Sequence, residues 1–292
     1  MNKVDAFYKL NPIVSFVYFV SVLILTMLWF NPILLLISLV CAVSYGLLTA
    51  GKRLRQSLKY AVILAVFTAV LNPLFNHNGQ TVIAYFSNGN PLTLESILFG
   101  MCEGVMLICV ICWFSCFNVI ITSDKIAYLF GRAVPKISML FTMSMRFFPK
   151  LLNEGKSIIN AQTAIGKSVY QGSIADRVKN MASVLNVLVN RTLEESVDTA
   201  DSMYARGYAT VKRTAFSVFE FTYRDTVCLV VILMLLTAVL VSKAFGIIDF
   251  VYFPCVYTNI GIFSYLAYTM YAILCAIPII IDFTEAIIWK RR

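Results

Sequence analysis

An interval of 42 residues without a charged side chain lies near the start of this sequence, between Lys9 and Lys52. A helix that crosses a bilayer needs about 20 apolar residues, so the interval is long enough for two helices. Asn31-Pro32 is a turn signal near its middle and separates them. The sequence therefore predicts a helical membrane protein.

The composition of the whole chain agrees with this prediction. Apolar residues make up 60% of the sequence, charged residues make up 13%, and the mean hydropathy is +0.80. Soluble domains are about 45–50% apolar and about 25% charged. A soluble cytosolic enzyme and a disordered chain are therefore excluded, and the predicted fold class is an all-α, polytopic membrane protein.

Six membrane spans are predicted from the intervals between charges. A charged start followed by an apolar run resembles a signal peptide, but the run is too long and lacks a cleavage-site break, so we expect it to be retained as the first span. The second span follows Pro32. The other four are placed at about Tyr60–Phe75, at about Leu94–Ile121, at about Thr226–Val241 and within Phe250–Ile281.

The positions of Lys and Arg orient these spans, because cytoplasmic loops carry an excess of both residues. Both termini and the loop between the second and third spans are basic, whereas the loop after the third span has no Lys or Arg. Six spans with both termini in the cytoplasm satisfy this pattern. The net charge of +9 is then mostly a signal of topology, and we expect no nucleic-acid partner.

A segment of different composition separates the fourth and fifth spans. Residues 122–225 carry 14 Lys or Arg and 9 Asp or Glu. We therefore predict three parts: spans one to four in 1–121, a cytoplasmic helical insert in 122–225, and spans five and six in 226–292.

The insert is predicted to contain three helices. The first starts at Ser123 and stops before Pro135, and the second covers about Ile137–Ala164 with a bend at Pro149. The third follows a predicted capping box at Ser173, ends at Gly207, and carries apolar residues at helical spacing. This apolar stripe serves either packing between helices or docking of another protein. It consists of Ile174, Val178, Met181, Leu185, Leu188, Leu193, Val197, Ala200 and Tyr204.

Specific motifs lie on the second and third helices of the insert. The second helix contains Arg146-Phe147-Phe148-Pro149 and then Ala161-Gln162, and the third ends in Met203-Tyr204-Ala205-Arg206-Gly207-Tyr208. Over about residues 122–214, this pattern resembles the transmembrane T component of energy-coupling factor (ECF) transporters, the EcfT/CbiQ family. In that family an Arg-Phe-x-Pro stretch leads to Ala-Gln-x-Ala-Arg-Gly, and a second Ala-Arg-Gly follows.

The resemblance implies a non-enzymatic coupling subunit in a prokaryotic cell membrane. Its partners would be two ATP-binding cassette ATPases and a small membrane S component that binds a vitamin or a metal ion. ATP and Mg would be bound by the ATPases, with no cofactor and no metal site in this chain. Two long coupling helices would each end in a groove of one ATPase, where the motif arginine contacts acidic groups.

The candidate coupling site therefore consists of two helix ends. Arg206 offers a planar fork for a carboxylate, and a cation is favoured at a helix C-terminus; alternatively, Arg206 is only a favourable C-terminal residue. The first motif departs from the family, because Ile165 stands where arginine is expected, so docking there rests on apolar contact or is weaker. The candidate residues are Ala205, Arg206, Gly207 and Tyr208 at one end, Ala164, Ile165 and Gly166 at the other, and Arg146 and Pro149 within the second helix.

Three other features have two interpretations each. Arg146 pairs with an acid of the insert or is solvated. Glu103, in the fourth span, marks an ion path or is hydrated. Cys109, Cys112 and Cys116 share one helix face and are small packing residues rather than metal ligands, because no fourth ligand is visible nearby.

Competing functions are less well supported by the sequence. A conventional ABC importer permease also couples to ATPases, but it usually uses one short coupling element. A membrane enzyme would need clustered acids with a divalent ion, or His and Cys groups, and His77 is the only histidine. A secondary transporter would want several ionisable residues within its spans.

Overall fold

The computed structural model describes residues 7–85, 91–133, 135–208, 219–254, 256–258 and 261–291. Helices dominate this part of the chain, which confirms the predicted all-α, polytopic class. A 3₁₀ turn at Phe7–Lys9 precedes them. The helices are α1 (Pro12–Leu28), α2 (Pro32–Thr49), α3 (Lys52–Phe75), α4 (Leu94–Ile120), α5 (Ser123–Ala133), α6 (Pro135–Ala164), α7 (Ile174–Ala205), α8 (Tyr223–Ala244) and α9 (Ile262–Arg291).

Two short antiparallel hairpins lie in the loops that follow α3 and α8. Strand β1 (Val82–Tyr85) pairs with β2 (Pro91–Thr93), and β3 (Phe250–Val251) pairs with β4 (Tyr257–Thr258). The backbone N–H of Gln80 donates to the carbonyl of Pro254 at 3.2 Å. This hydrogen bond joins the two loops at one end of the helices.

Five helices within the described residues, α2, α3, α4, α8 and α9, are long and apolar enough to cross a membrane. Helix α1 is also apolar but has only 17 residues. Every predicted span thus corresponds to a helix. The bounds differ most for α9, which runs to Arg291, past the predicted limit of Ile281, and for α3, which begins at Lys52, earlier than the predicted Tyr60. Gly51, with φ of +52°, makes the turn after α2, and the basic residues that follow it are good helix formers.

The membrane helices enclose a core of apolar and aromatic side chains. Trp113 of α4 is fully buried, and its indole N–H donates to the hydroxyl of Ser38 in α2 at 2.9 Å. The hydroxyls of Tyr271 in α9 and Thr26 in α1 lie 3.2 Å apart. Buried polar groups need such partners, so these bonds fix how α1, α2, α4 and α9 pack.

The chain divides into two compact units. One contains Met1–Ile126 and Phe219–Arg292, and the other contains Ala127–Val218. The second unit lies inside the predicted insert and contains most of α5 and all of α6 and α7. The domain bounds predicted from the sequence remain a prediction.

Candidate functional site

Helices α6 and α7 form an antiparallel hairpin held by a small apolar core. Ile158 of α6, Val169 of the connecting loop and Val184 of α7 are buried against one another. Leu188, one turn after Val184, packs on this cluster. Val184 contacts Ile158, and Glu195, later in α7, contacts Lys150, earlier in α6. The two helices are therefore antiparallel, and the C-terminal end of α7 lies near the start of α6.

An ion pair also connects the two helices of the hairpin. The Lys150 ammonium of α6 lies 2.6 Å from the Glu195 carboxylate of α7 and 3.7 Å from that of Glu154. This hydrogen bond raises the pKa of Lys150 and lowers the pKa of Glu195. Because the Lys150 side chain is about half exposed, we expect the pair to contribute little stability.

The loop between the helices is held from α7. Arg177 donates from Nε to the carbonyl of Val169 at 3.1 Å, and Asn180 donates to the carbonyl of Ser168 at 2.9 Å. Ser173 is the N-cap residue of α7, but its side chain makes no capping hydrogen bond. The predicted capping box is therefore wrong, because side chains of the first two turns of α7 fix the loop instead.

Helix α6 ends in a tight glycine turn. Gly166 has φ of +83°, a conformation that glycine adopts without strain. Its N–H donates to the carbonyl of Thr163 at 3.0 Å, and the N–H of Lys167 donates to the carbonyl of Gln162 at 2.9 Å. This pair of bonds defines a Schellman motif, in which the last carbonyls of a helix are satisfied.

Helix α7 ends in the same motif. Gly207 has φ of +81°. Its N–H donates to the carbonyl of Tyr204 at 2.9 Å, and the N–H of Tyr208 donates to the carbonyl of Met203 at 3.0 Å. Ile165 and Arg206 thus occupy the same position, directly before the left-handed glycine. The two Ala-x-Gly motifs are geometrically equivalent. The sequence alone could suggest this only from the alanine and glycine that they share.

Both helix ends present their candidate side chains to the surface of the chain. Ile165 is 69% exposed, and Arg206 is exposed and takes part in none of the ion pairs found among the described residues. An isoleucine exposed to this degree gains from any partner that covers it, since burial of apolar area is favourable. One end therefore offers an apolar contact and the other a cation.

Apart from Leu188, the apolar stripe of α7 is not buried against α6. Of its nine members only Leu188 is partly buried, and the other eight are exposed. Interhelical packing is thus the wrong interpretation for most of the stripe within this chain. Helix α7 turns Val184, Leu188 and Glu195 toward α6. The rest of the stripe is exposed among the described residues and extends over about 30 residues of α7.

The remaining candidate residues lie elsewhere. Arg146 is exposed and is absent from the ion pairs of the described chain. Pro149 lies inside α6, and the helix continues past it.

Glu103 of α4 accepts a 2.8 Å hydrogen bond from the side-chain amide of Asn72 in α3. It joins two membrane helices, an arrangement that the sequence did not reveal because Asn72 lies 31 residues away.

Comparison with known proteins identifies the family of this arrangement. The sequence model of the CbiQ family, described as a cobalt transport protein, matches residues 8–218, well over half of the chain. The chain belongs to the CbiQ family. The match covers α1 to α7 and both glycine-capped helix ends, and it confirms the family resemblance found in the motifs.

Several relatives are similar to this chain over most of its length. An energy-coupling factor transporter transmembrane protein EcfT of Staphylococcus aureus is 26% identical, with 76% of this chain and 84% of the relative aligned. EcfT 1 of Listeria monocytogenes is 27% identical over 77% of this chain and 88% of the relative. The apolar helices and these relatives together indicate a multi-pass protein of the prokaryotic cell membrane.

A third relative differs in kind. A putative ABC transporter ATP-binding protein of Bifidobacterium longum is 22% identical over 80% of this chain, and the match covers 31% of that protein. A segment similar to the present chain therefore occurs within a longer protein that is named for ATP binding.

Proposed function

We propose that this chain is the transmembrane coupling component of an ECF-type importer. The observation that carries the proposal is the equivalence of the two Schellman-capped helix ends, which present Ile165 and Arg206 at matching positions. Two equivalent docking ends on one chain suit two ATP-binding cassette ATPases. Membership of the CbiQ family and the similarity to EcfT proteins support this assignment.

The two docking ends act by different chemistry in this proposal. Arg206 holds a carboxylate of one ATPase through its planar fork, with the C-terminal end of α7 favouring the cation. Ile165 offers the other ATPase an apolar side chain in place of the family arginine, so docking there rests on apolar contact or is weaker. Closure of the ATPases on ATP moves α6 and α7, and their movement drives the transport step.

A small membrane S component is the third proposed partner, and the apolar stripe of α7 is the surface that we assign to it. The S component would bind the substrate, a vitamin or a metal ion. ATP and Mg would be bound by the ATPases, so the chain itself would need neither cofactor nor catalytic group. The similarity to a protein named as an ABC ATP-binding protein supports the partnership with ATPases.

Affinity purification of the tagged chain in mild detergent, followed by mass spectrometry, tests this assignment. We expect two ATP-binding cassette subunits and one small polytopic membrane protein. Recovery of ATPases with a soluble or lipid-anchored binding protein would instead indicate a conventional ABC importer. Absence of any ATPase, with a control transporter recovered intact under the same conditions, would contradict the coupling role.

The replacement of the family arginine by Ile165 makes a separate prediction. In Ile165→Arg, we expect binding of the ATPase at the α6 end to strengthen or stay unchanged, because the family groove is expected to hold acidic groups. Binding of each ATPase to the purified variant, measured by titration, checks this. A clear loss of assembly would show that this groove has become apolar, and Ile165→Leu, which keeps the apolar character, is the matched control.

A further inference from the structure

The short segment before α1, residues 7–11, is anchored by contacts with distant parts of the chain. Phe7 is fully buried, with its ring edge-on to the rings of Tyr18, Phe19 and Tyr45 at 5.3, 6.1 and 6.3 Å between centroids. Three side chains from distant parts of the sequence tie this segment.

The first of these side chains is Lys125, near the start of α5. Its ammonium donates to the carbonyl of Tyr8 at 2.6 Å and lies 4.1 Å from the centroid of the Tyr8 ring. Lys125 is only 2% exposed, and its burial lowers its pKa to about 8. A buried ammonium is costly without a partner, so the bond to Tyr8 holds the first turn of α5 against residues 7–11.

The second is Asp225, in the first turn of α8, which is also 2% exposed. One carboxylate oxygen accepts the N–H of Asn11, the N-cap residue of α1, at 2.9 Å. The other accepts the N–H of Thr222, the N-cap residue of α8, at 2.9 Å. A single carboxylate therefore accepts a backbone N–H from the N-cap residues of two helices. Both helix dipoles favour a negative charge at this position.

The third is Asp282 of α9, whose carboxylate accepts the N–H of Phe7 at 3.0 Å. Three of the five residues in this segment are thus bonded to other helices: Phe7 to the second half of α9, Tyr8 to the start of α5 and Asn11 to the start of α8. The unit Ala127–Val218, which contains α6 and α7, begins directly after Lys125 and Ile126, and Asp225 follows its end. Lys125, two residues before that unit, and Asp225, seven residues after it, are therefore bonded to the same short segment.

We propose that residues 7–11 form a clasp that holds the start of α5 and the start of α8 together, so that a disturbance at one of these helix starts is transmitted to the other. Lys125 and Asp225 act as positioning residues, each through the backbone of the clasp. The clasp consists of contacts within this chain and does not depend on the proposed role in transport. Its consequence is that neither helix start can loosen without disturbing the other.

Hydrogen exchange of the purified chain in detergent, read by mass spectrometry, tests the clasp at backbone amides remote from each substitution. In Asp225→Asn, the probe is the N–H of Ile126, which bonds to the carbonyl of Thr122 at 3.0 Å. We expect it to exchange about tenfold faster, although Asp225 makes no bond to α5 among those of the described residues. Asp249→Asn, at the other end of α8 in an exposed ion pair, is the matched control and should leave this amide unchanged.

The reciprocal variant is Lys125→Met, which keeps the apolar length of the side chain and removes the donor to Tyr8. The probe is then the N–H of Thr226, which bonds to the carbonyl of Thr222 at 3.2 Å. It should also exchange about tenfold faster, while the control Lys243→Met leaves it unchanged. This variant decides the question if Asp225→Asn does not yield a folded chain.

Faster exchange at the remote amide supports the clasp. Faster exchange confined to the substituted end would show that Lys125 and Asp225 are independent anchors and would overturn the proposal. Unchanged exchange at both ends would overturn it as well, because the three hydrogen bonds would then not limit local opening.

Discussion

Replacing Arg206 with alanine should leave a folded, membrane-inserted chain that no longer engages one of its ATPases. Arg206 is exposed and belongs to none of the ion pairs found in the described chain, so its loss removes little stability. Gly207 keeps the Schellman turn through backbone bonds that do not involve the Arg206 side chain. The expected damage is therefore confined to the interface.

The size of this effect follows from the chemistry of a desolvated charge pair. Removing one partner costs about 2–5 kcal/mol, much of it from the carboxylate left buried without a partner. At about 1.4 kcal/mol for each tenfold change, affinity for that ATPase should fall by roughly 30-fold to several thousand-fold. Titration of the purified ATPase onto the reconstituted chain measures the affinity, and uptake into proteoliposomes measures the consequence.

Arg191→Ala is the matched control for this prediction. Arg191 lies on the same helix, is 56% exposed and approaches Glu195 only at 3.9 Å, so its loss should change neither quantity appreciably. Arg206→Lys separates the effect of the planar guanidinium fork from that of the positive charge, because an ammonium cannot hold a carboxylate bidentately. Wild-type affinity and wild-type uptake in Arg206→Ala would remove this residue from the mechanism.

The sequence could predict features that depend on local pattern. Charge-free intervals located the membrane helices, since a single charge inside a span is costly, and Gly207 marked the end of α7 because few other residues adopt positive φ. The equivalence of the α6 and α7 ends was suggested by Ala164-Ile165-Gly166 but needed the hydrogen bonds of Gly166 and Lys167 to be established.

Features that depend on contacts between distant segments were beyond the sequence. The period of the apolar stripe is the same whether its side chains pack on α6 or face outward, so only the structure could show that Val184 is buried and Leu185 is not. The bond of Lys125 to Tyr8 and that of Asp225 to Asn11 join residues 117 and 214 positions apart. No local spacing encodes pairs so far separated.

A close contact between α3 and α4 in the membrane unit makes the second strong prediction. Gly104 of α4 faces α3, where an added Cβ would lie 2.8 Å from the backbone carbonyl oxygen of Ala65. One turn earlier, a Cβ on Gly100 would lie 3.0 Å from the carbonyl oxygen of Ala69. Small residues at membrane helix interfaces allow backbones to approach in this way, and a backbone atom cannot move aside as a flexible side chain can.

Gly104→Ala should therefore push α3 away from α4. Overpacking of a close contact costs about 1–3 kcal/mol, and the displacement should also lengthen the 2.8 Å bond between Asn72 and Glu103, which lies beside the contact. We expect a clearly lower thermal midpoint in detergent, measured by the loss of the monodisperse peak in size-exclusion chromatography after heating.

Gly155→Ala, the same substitution in α6, should have the opposite sign. A Cβ there would meet only the Leu188 side chain, at an ordinary contact distance of 3.9 Å. Alanine is favoured over glycine inside a helix by roughly 0.5–1 kcal/mol, so this variant should be at least as stable as the parent. If Gly104→Ala were equally stable, the approach of α4 to α3 at Gly104 could not be a tight contact.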